Sequence, residues 1–258
     1  MDPLVGLMRR FALDWLGRAD VDACAGIMAE DYSILIGGHT LAGREDAYIP
    51  GTLAQLHRFP GLLLSVQDLF TDGDRVAMRF TEHGPSEADD MAPAAWGGIG
   101  LFFWDGERLT RNVTEEDYHS RRRQLAERVS DPVESPAPAP WAALPQAADP
   151  AAEATVRTWL ERGSLDGLVV DDGWTGQPTP PLLDVTGVAV GELFSAGDRV
   201  AFQVVQTGRY LGGLPGTDGA EGREASMSVV GMVTAGADGT VTGRAVRDRV
   251  GLRRAVRA

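Results

Sequence analysis

The sequence predicts an α+β protein built from two related halves. Residues 67–84 (QDLFTDGDRVAMRFTEHG) and residues 191–208 (GELFSAGDRVAFQVVQTG) are identical at eight of eighteen positions. A repeat of one supersecondary unit at this long spacing indicates two related domains. Within the first half, segments with helical periodicity precede a run of strand-like segments. That order is typical of helices covering one face of an antiparallel sheet.

Three helices are predicted at the start of the first half. In residues 3–17 the apolar side chains recur at helical spacing and form one stripe. Residues 21–30 are interpreted as a second, short helix, and residues 32–38 as a short β-rich run ended by glycines. Residues 43–58 are interpreted as a third helix, which Pro50 bends or breaks.

Four strands are predicted after these helices, and they comprise residues 62–70, 75–83, 97–104 and 108–117. Side chains alternate between the two faces of a strand, so the second of these places three apolar residues and Glu82 on one face. Glu82 is therefore a candidate for a carboxylate at the end of a buried face. A strand-end glutamate in solvent is the alternative. The second half has Gln206 in this place, and an amide cannot act as a general base.

The domain boundaries follow from composition. Residues 131–145 are proline-rich and lack periodicity, which predicts a semi-rigid linker between residues 1–130 and residues 146–258. Residues 177–187 carry three prolines where the first half has its third helix, so the second half should lack one wall of any cavity and be mainly structural. Residues 211–226 are glycine-rich and form either a mobile hairpin or a lid.

Composition excludes several classes of function. The 258 residues carry a formal net charge of −13, which argues against nucleic acid as a partner. All 24 basic residues are arginine, so Schiff-base and pyridoxal phosphate chemistry that needs a lysine is excluded. Cys24 is the only cysteine and the histidine spacing fits no metal motif, so neither a metal nor a cofactor is expected. No apolar run could cross a membrane, so we expect a soluble cytoplasmic protein.

Both halves end on a similar motif. Residues 109–125 read LTRNVTEEDYHSRRRQL and residues 248–256 read DRVGLRRAV. Each has an aspartate at the end of the last strand and a small residue three positions later, which resembles the closing signature of SnoaL-like polyketide cyclases. The matching residues are Asp117, Ser120, Arg123, Gln124 and Leu125 and, more loosely, Asp248, Gly251, Leu252 and Arg254. The order of elements likewise resembles the nuclear transport factor 2-like cone fold.

This resemblance implies two cone-shaped domains, each a curved antiparallel sheet with N-terminal helices, packed as a pseudo-dimer through their sheets. A homodimer of the two-domain chain is a further expectation. The implied function is cofactor-free acid/base chemistry on a hydrophobic, polyketide-like small molecule, of the cyclase, isomerase or dehydratase type. Epoxide opening in a polyether-type precursor is one alternative. A non-catalytic small-molecule-binding or accessory protein is another, because this fold supports many functions.

Asp117, Glu82 and His39 are the catalytic candidates. Cone-fold enzymes place a carboxylate in an apolar cavity, where loss of hydration raises its pKa into the range useful for proton transfer. Asp117 matches the signature aspartate, although it could instead cap the following helix. His39 could serve as a base or lie in a surface loop. On the last strand, Val113, Glu115 and Asp117 share one face, and Asn112, Thr114 and Glu116 share the other.

Four aromatic residues of the first half are candidates for contact with a substrate: Trp15, Tyr32, Tyr48 and Trp96. Tyr48, on the predicted third helix, is the candidate donor to an oxygen that gains negative charge. Each of the four could instead be part of the core, because aromatic side chains fill such interiors.

Overall fold

The computed structural model describes residues 1–171, 176 and 179–257 of the chain. In the first half the helices are α1 (Pro3–Arg10), α2 (Val21–Cys24), α3 (Ile49–Arg58) and α4 (Tyr118–Glu127). The strands are β1 (Met28–Ile36), β2 (His39–Ala42), β3 (Leu63–Thr71), β4 (Arg75–Ser86), β5 (Ala92–Trp104) and β6 (Leu109–Glu116). Short π-helical segments, Phe11–Leu16 and Arg44–Tyr48, follow α1 and precede α3.

The second half repeats this order with fewer elements. Its described elements are α5 (Pro150–Leu160), β7 (Leu168–Val170), β8 (Leu183–Ala196), β9 (Arg199–Tyr210), β10 (Glu224–Ala235), β11 (Val241–Arg247) and α6 (Arg249–Arg257). The strand orders are β2-β1-β6-β5-β4-β3 and β7-β11-β10-β9-β8. The α+β class is thus confirmed. Each sheet is mixed rather than wholly antiparallel, because β1 pairs with β6 and β7 with β11 in parallel.

One local prediction for the first half was wrong, and one strand was missed. The predicted helix 21–30 ends at Cys24, and the chain enters β1 at Met28, where pairing with β6 outweighs the helical preference of the sequence. Strand β2 was not predicted. It forms because Gly37 and Gly38 both adopt positive φ angles, 56° and 72°, and so reverse the chain against β1.

The first helix follows the sequence pattern closely. Asp2 caps it, since the backbone N–H of Val5 donates to Asp2 Oδ1 at 3.1 Å, and a proline occupies its first turn. The predicted apolar stripe is buried against the inner face of the sheet, where Val76, Met78 and Phe80 of β4 belong to the same core. None of the helices among the described residues is long and apolar enough to cross a membrane.

The two sheets pack against each other through the faces that carry no helices. A separate apolar cluster joins them, formed by Phe70, Ala77, Ile99, Leu101 and Val113 of the first half and by Phe194, Ala201, Val230, Met232 and Val246 of the second. Each sheet therefore has one face toward its own helices and one toward the other half. This is the predicted pseudo-dimer arrangement.

The proline-rich segment between the halves lies along the edge of β3. The backbone N–H of Ala137 donates to the carbonyl of Val66 at 2.9 Å. Glu134 accepts from Arg79 Nη1 at 2.7 Å and lies 3.7 Å from Arg244 Nη2. Arg79 lowers the pKa of Glu134 by hydrogen bonding. The segment thus covers an edge that would otherwise be open, and it contacts one arginine from each half.

The glycine-rich segment 211–226 is anchored at its start. The backbone N–H of Leu214 donates to the hydroxyl of buried Tyr210 at 2.8 Å, and Thr217 Oγ1 lies 2.8 Å from the same hydroxyl. The last residues of the segment belong to β10. Part of the proline-containing segment 177–187, predicted to replace a third helix, lies outside the described residues.

Candidate functional site

A cavity of about 140 Å³ lies in the first half, between the helices and the sheet face they cover. Apolar side chains form most of its wall, among them Phe11, Ile34, Met78, Phe80 and Phe102. Its polar residues include Tyr48, Gln55, Glu82, Asn112, Thr114, Glu116 and Tyr118. An apolar cavity with a small set of polar groups is the usual form of a small-molecule site.

Two glutamates, Glu82 of β4 and Glu116 at the end of β6, line this cavity. They approach one another across β5, where Gly98 pairs with both Phe80 and Glu116. A Cβ atom on Gly98 would lie 2.4 Å from Cζ of Phe80 and 3.1 Å from Cγ of Glu116. Glycine is therefore required here, because only its missing side chain leaves room for these two residues above the strand.

Each carboxyl group of the pair has its own hydrogen-bond donor. Gln55 Nε2, from α3, donates to Glu82 Oε2 at 2.7 Å. Trp96 Nε1, from β5, donates to Glu116 Oε2 at 2.8 Å, and the Tyr118 hydroxyl also hydrogen-bonds Glu116. The two carboxyl groups hydrogen-bond each other as well. Such a bond between two carboxyl groups requires that one of them carry a proton.

The surroundings assign this shared proton to Glu82. Burial raises the pKa of Glu82 well above its usual value, and the negative charge of Glu116 raises it further. Burial also raises the pKa of Glu116, but the donors Trp96, Tyr118 and Glu82 favour its ionised form. The pair therefore favours the state with the proton on Glu82 and the negative charge on Glu116, and the two titrate as one unit.

Arg121 of α4 supplies the positive charge that balances this pair. Its guanidinium carbon lies 4.2 Å from the ring centroid of Tyr118 and 4.9 Å from that of Trp96. It lowers the pKa of both Glu82 and Glu116 by charge attraction. The pair with one shared proton carries one negative charge, so the pair and Arg121 together are neutral.

The structure places Asp117 outside the cavity. Asp117 is the N-cap of α4, since Ser120 N donates to its Oδ1 at 3.0 Å. Arg249 Nη2, from the second half, lies 2.6 Å from both carboxylate oxygens, and Asp117 is only 1% exposed. A carboxylate held in this way is not placed to act on a molecule in the cavity.

The structure also places His39 away from the cavity wall. His39 is exposed on β2, and its Nε2 lies 2.8 Å from Arg254 Nη1. Because a guanidinium can only donate, this nitrogen is the acceptor of the bond. The sequence suggested an imidazole near the cavity, but the turn that creates β2 directs this residue toward α6.

The four aromatic candidates differ in position. Tyr48 lines the cavity, and its hydroxyl accepts from Trp15 Nε1 at 3.2 Å. Burial raises the pKa of Tyr48, so the hydroxyl stays neutral. Trp15 and Tyr32 are fully buried behind Tyr48, and the ring centroids of Tyr32 and Tyr48 lie 4.8 Å apart. Trp96 acts on the site through its bond to Glu116.

Sequence reasoning missed Glu116, Gln55, Tyr118 and Arg121. A signal for Glu116 was present, because Asn112, Thr114 and Glu116 were assigned to one face of the last strand, and the structure shows that this face lines the cavity. The family signature favoured Asp117, which the sequence assigns to the opposite face of this strand together with Val113. The structure shows that Val113 faces the other half of the chain and not the cavity.

The second half has no counterpart of the carboxyl pair at the place of Glu82. Gln206 stands there and donates through Nε2 to the carbonyl of Gly163 at 3.0 Å. An open groove of about 580 Å³ lies beside it, with Leu183, Val185 and Met227 in its wall. An amide at this position cannot take up a proton from a ligand.

Glu115 lies on the opposite face of β6 and meets the second half. Gly37 N donates to Glu115 Oε2 at 3.3 Å, and Ser228 also hydrogen-bonds this carboxyl group. Burial, together with the nearby charge of Asp248, raises the pKa of Glu115 to about 8. The contact between the halves therefore contains a carboxyl group that is protonated below this pH.

We expect Glu115→Gln to stabilise the protein at alkaline pH. Between about pH 4.5 and 8 the native state keeps a proton on Glu115 that the unfolded chain releases, so this group's contribution to stability falls as pH rises. The amide does not titrate, so the variant should gain up to about 1.4 kcal/mol per pH unit over this range. Urea unfolding at about pH 5, 7 and 8.5 measures the difference in the free energy of unfolding between the variant and the native protein.

The control is Glu127→Gln, which changes an exposed glutamate and should show no such trend. A pH-independent difference for Glu115→Gln would contradict the raised pKa of Glu115.

We also expect the Glu82–Glu116 pair to hold one proton at pH 7. In the Glu115→Gln background, infrared spectroscopy should show the C=O stretch of a protonated carboxyl group, because Glu82 is the acid of the pair. Adding Glu82→Gln should remove this band, whereas adding Glu127→Gln should leave it. A spectrum without the band in the Glu115→Gln background would show that both carboxyl groups are ionised.

The comparisons with known proteins include one family model, which matches part of the first half. Residues 8–112 match the family model of the SnoaL-like domain. No curated protein matches the chain. A solved structure from Acidithiobacillus ferrooxidans, provisionally described as a polyketide cyclase, is 22% identical, with a TM-score of 0.43 over 48% of this chain and 94% of its own.

Two further solved structures show the range of proteins that resemble this chain. A protein with a ketosteroid isomerase-like fold from Catenulispora acidiphila is 19% identical, with a TM-score of 0.42 over 46% of this chain and 92% of its own. An LEH-like epoxide hydrolase from M. tuberculosis is 16% identical, with a TM-score of 0.42 over 49% of this chain and 86% of its own. Residues 8–112 are thus similar to the SnoaL-like domain, and the two sheets of the structure fit a tandem arrangement.

Proposed function

We propose that the protein is a cofactor-independent enzyme that transfers protons on a hydrophobic, polyketide-like small molecule bound in the first half. The observation that supports this is the Glu82–Glu116 pair at one end of an apolar cavity. A protonated and an ionised carboxyl group side by side can donate and accept a proton in one step. Residues with pKa values displaced by burial and by a specific neighbour are typical of functional sites.

In this proposal Glu116 is the base and Glu82 the acid. The Glu116 carboxylate removes a proton from the carbon next to a carbonyl group, while Glu82 donates its proton to the carbonyl oxygen and an enol forms. Glu116 then holds the proton and gives it up in the second step, while the ionised Glu82 takes back the proton of the enol. Delivery of the Glu116 proton to another carbon completes an isomerisation. Its delivery to the oxygen of a second carbonyl that the enol attacks completes a cyclisation, and its delivery to a hydroxyl group that leaves as water completes a dehydration. Trp96 and Tyr118 hold Glu116 in place by donating to it.

The size of the cavity limits what can enter it. Its volume of about 140 Å³ is close to that of an apolar cavity of about 150 Å³ that accommodates one benzene ring. We therefore infer that one ring or a short chain of the substrate reaches the carboxyl pair. A larger natural-product intermediate would keep its remaining part outside.

Hydrogen exchange in D₂O tests this proposal without knowledge of the natural substrate. Small cyclic ketones and cyclic 1,3-diketones are incubated with the protein, and mass spectrometry measures deuterium at the carbon next to the carbonyl group. The protein should accelerate exchange for compounds that also raise its melting temperature. A compound that raises the melting temperature while none of the panel exchanges would favour the non-catalytic binding protein instead.

The same pair also supports a second candidate, epoxide opening. Glu82 would protonate the epoxide oxygen, and Glu116 would take the proton from the attacking oxygen, so the reaction needs one acid and one base side by side. The assignment of a proton to Glu82 and a charge to Glu116 favours this chemistry equally. Small cyclic epoxides in H₂¹⁸O separate the two candidates. Turnover of epoxides with no exchange on ketones would favour epoxide opening, and a label in the diol would identify water as the attacking group.

A further inference from the structure

Four arginine side chains converge on a cleft of about 340 Å³ between α4 and α6. They are Arg122 of α4 and Arg253, Arg254 and Arg257 of α6, and Val250 is the remaining residue of the cleft wall. The chain as a whole carries a net charge of −13, so a cleft lined by four arginines differs sharply from the average charge of the molecule.

These four guanidinium groups lack carboxylate partners among the described residues, in contrast to their neighbours on the chain. Arg247 and Arg249 are buried in ion pairs with Asp171 and Asp117, at 2.6 Å in each case. Arg254 instead donates to the ring of His39. Nε of Arg253 is buried without a hydrogen-bond partner, and a buried donor left in this state is costly.

The arginines of the cleft also repel one another. Burial and the positive charges of Arg121, Arg253, Arg254 and Arg58 lower the pKa of Arg122. An anion in the cleft would offset this repulsion and could also satisfy the buried Nε of Arg253.

The cleft adjoins the cavity that contains the carboxyl pair. Tyr118 lines the cavity and Arg122 lines the cleft, and side chains four residues apart on a helix lie on the same face about one turn apart. Arg254 contacts His39 in the β1–β2 hairpin, whose residues Ile36 and Leu41 also line the cavity. A ligand held by the arginines would therefore lie beside the cavity.

We propose that the cleft formed by Arg122, Arg253, Arg254 and Arg257 binds a phosphate group. Guanidinium groups match the oxygens of phosphate with paired hydrogen bonds, and several together balance its double charge. Salt screens charges that lie more than about 8–10 Å from a small phosphate ion, so the nearby arginines dominate its attraction to the cleft. An acidic protein would instead be repelled by the net negative charge of the whole chain. The proposal does not depend on Glu82 and Glu116 being catalytic.

Titration calorimetry with inorganic pyrophosphate at low ionic strength tests the cleft directly. The double variant Arg253→Met and Arg254→Met should bind pyrophosphate at least about tenfold more weakly than the native protein. Arg9→Met, which removes an exposed arginine of α1 outside the cleft, should bind as the native protein does. If the double variant fails to fold by circular dichroism, Arg122→Met with Arg257→Met removes the other two members of the cleft, both of which are exposed.

Three results would overturn the proposal. The first is equal affinity for pyrophosphate in the native protein and the cleft variants. The second is a loss of affinity in Arg9→Met as large as that in the cleft variants. The third is binding of a poly-glutamate peptide but not of pyrophosphate, which would indicate an acidic protein surface as the partner. Inorganic phosphate and phenyl phosphate then identify the source of the group. Tighter binding of phenyl phosphate would mean an ester whose organic part reaches toward the cavity, and equal binding would mean free phosphate.

Discussion

Replacing Arg249 with methionine should destabilise the protein by roughly 3–5 kcal/mol, the usual cost of removing one partner from a buried ion pair. Asp117 and Asp171 are 1% and 0% exposed, and Arg249 contacts both. Asp171 keeps Arg247 as a partner in the variant, at 2.6 Å. Asp117 would lose its guanidinium partner and be left as a buried charge between the two halves.

Urea unfolding at pH 7 measures this loss, and two further variants identify its cause. Arg18→Met removes an ion pair with Asp14 in which the arginine side chain is 75% exposed, and its effect should stay within about 0.5 kcal/mol. Adding Asp117→Asn to Arg249→Met should recover part of the stability, because the uncompensated charge is gone. A loss below about 1 kcal/mol in Arg249→Met would show that water or rearrangement compensates Asp117.

Replacing Glu116 with glutamine should reduce the rate of proton exchange on a bound ketone by about 10²–10⁴-fold. The amide retains the size and one oxygen acceptor for Trp96 but cannot remove a proton from carbon. Glu82→Gln should have a similar effect, because it removes the acid. The kcat/KM values for deuterium exchange measure both, and most of the loss should lie in kcat, since neither change alters the apolar wall.

Glu127→Gln is the matched control for both variants, because this glutamate lies exposed at the end of α4. Its rates should equal those of the native protein. If Glu116→Gln exchanges as fast as Glu127→Gln, Glu116 is not the base. If only KM rises in either variant, the pair binds the ligand and does not transfer its protons.

The sequence predicts well those parts of the fold that depend on local pattern. The stripe of α1 follows from spacing, as does the shared face of Val76, Met78 and Phe80 on β4, and the structure has both. The capping role of Asp117 was one of two roles that the sequence left open, and the structure shows that Asp117 caps α4. The first residues of β1 depend on pairing with β6, which is distant in the chain, so their short, mixed sequence carried little signal. Strand β2 instead pairs with the adjacent β1 across the turn at Gly37 and Gly38. Tertiary pairing decides such segments over local preference.

The residues of the candidate site likewise divide into those that local sequence pattern predicts and those that depend on tertiary contacts. Glu82 could be found from the sequence because it ends a strand face whose other members are apolar. Three consecutive acidic residues, Glu115, Glu116 and Asp117, stand at the end of β6, and only the pairing with Gly98 shows which of them meets Glu82. Gln55 and Arg121 reach the pair from two separate helices, a proximity that no spacing in the sequence records.

The bond between Arg249 and Asp117 makes the two related halves of the chain differ at corresponding positions. Asp117 and Asp248 both cap the last helix of their half, since Ser120 N and Gly251 N donate to them, but the following residue is Tyr118 in one copy and Arg249 in the other. A symmetric dimer must use the same residue at both equivalent positions. Within one chain the two positions can differ: Tyr118 faces the cavity and Arg249 crosses between the sheets. Two copies of the first half alone would lack the guanidinium that contacts Asp117.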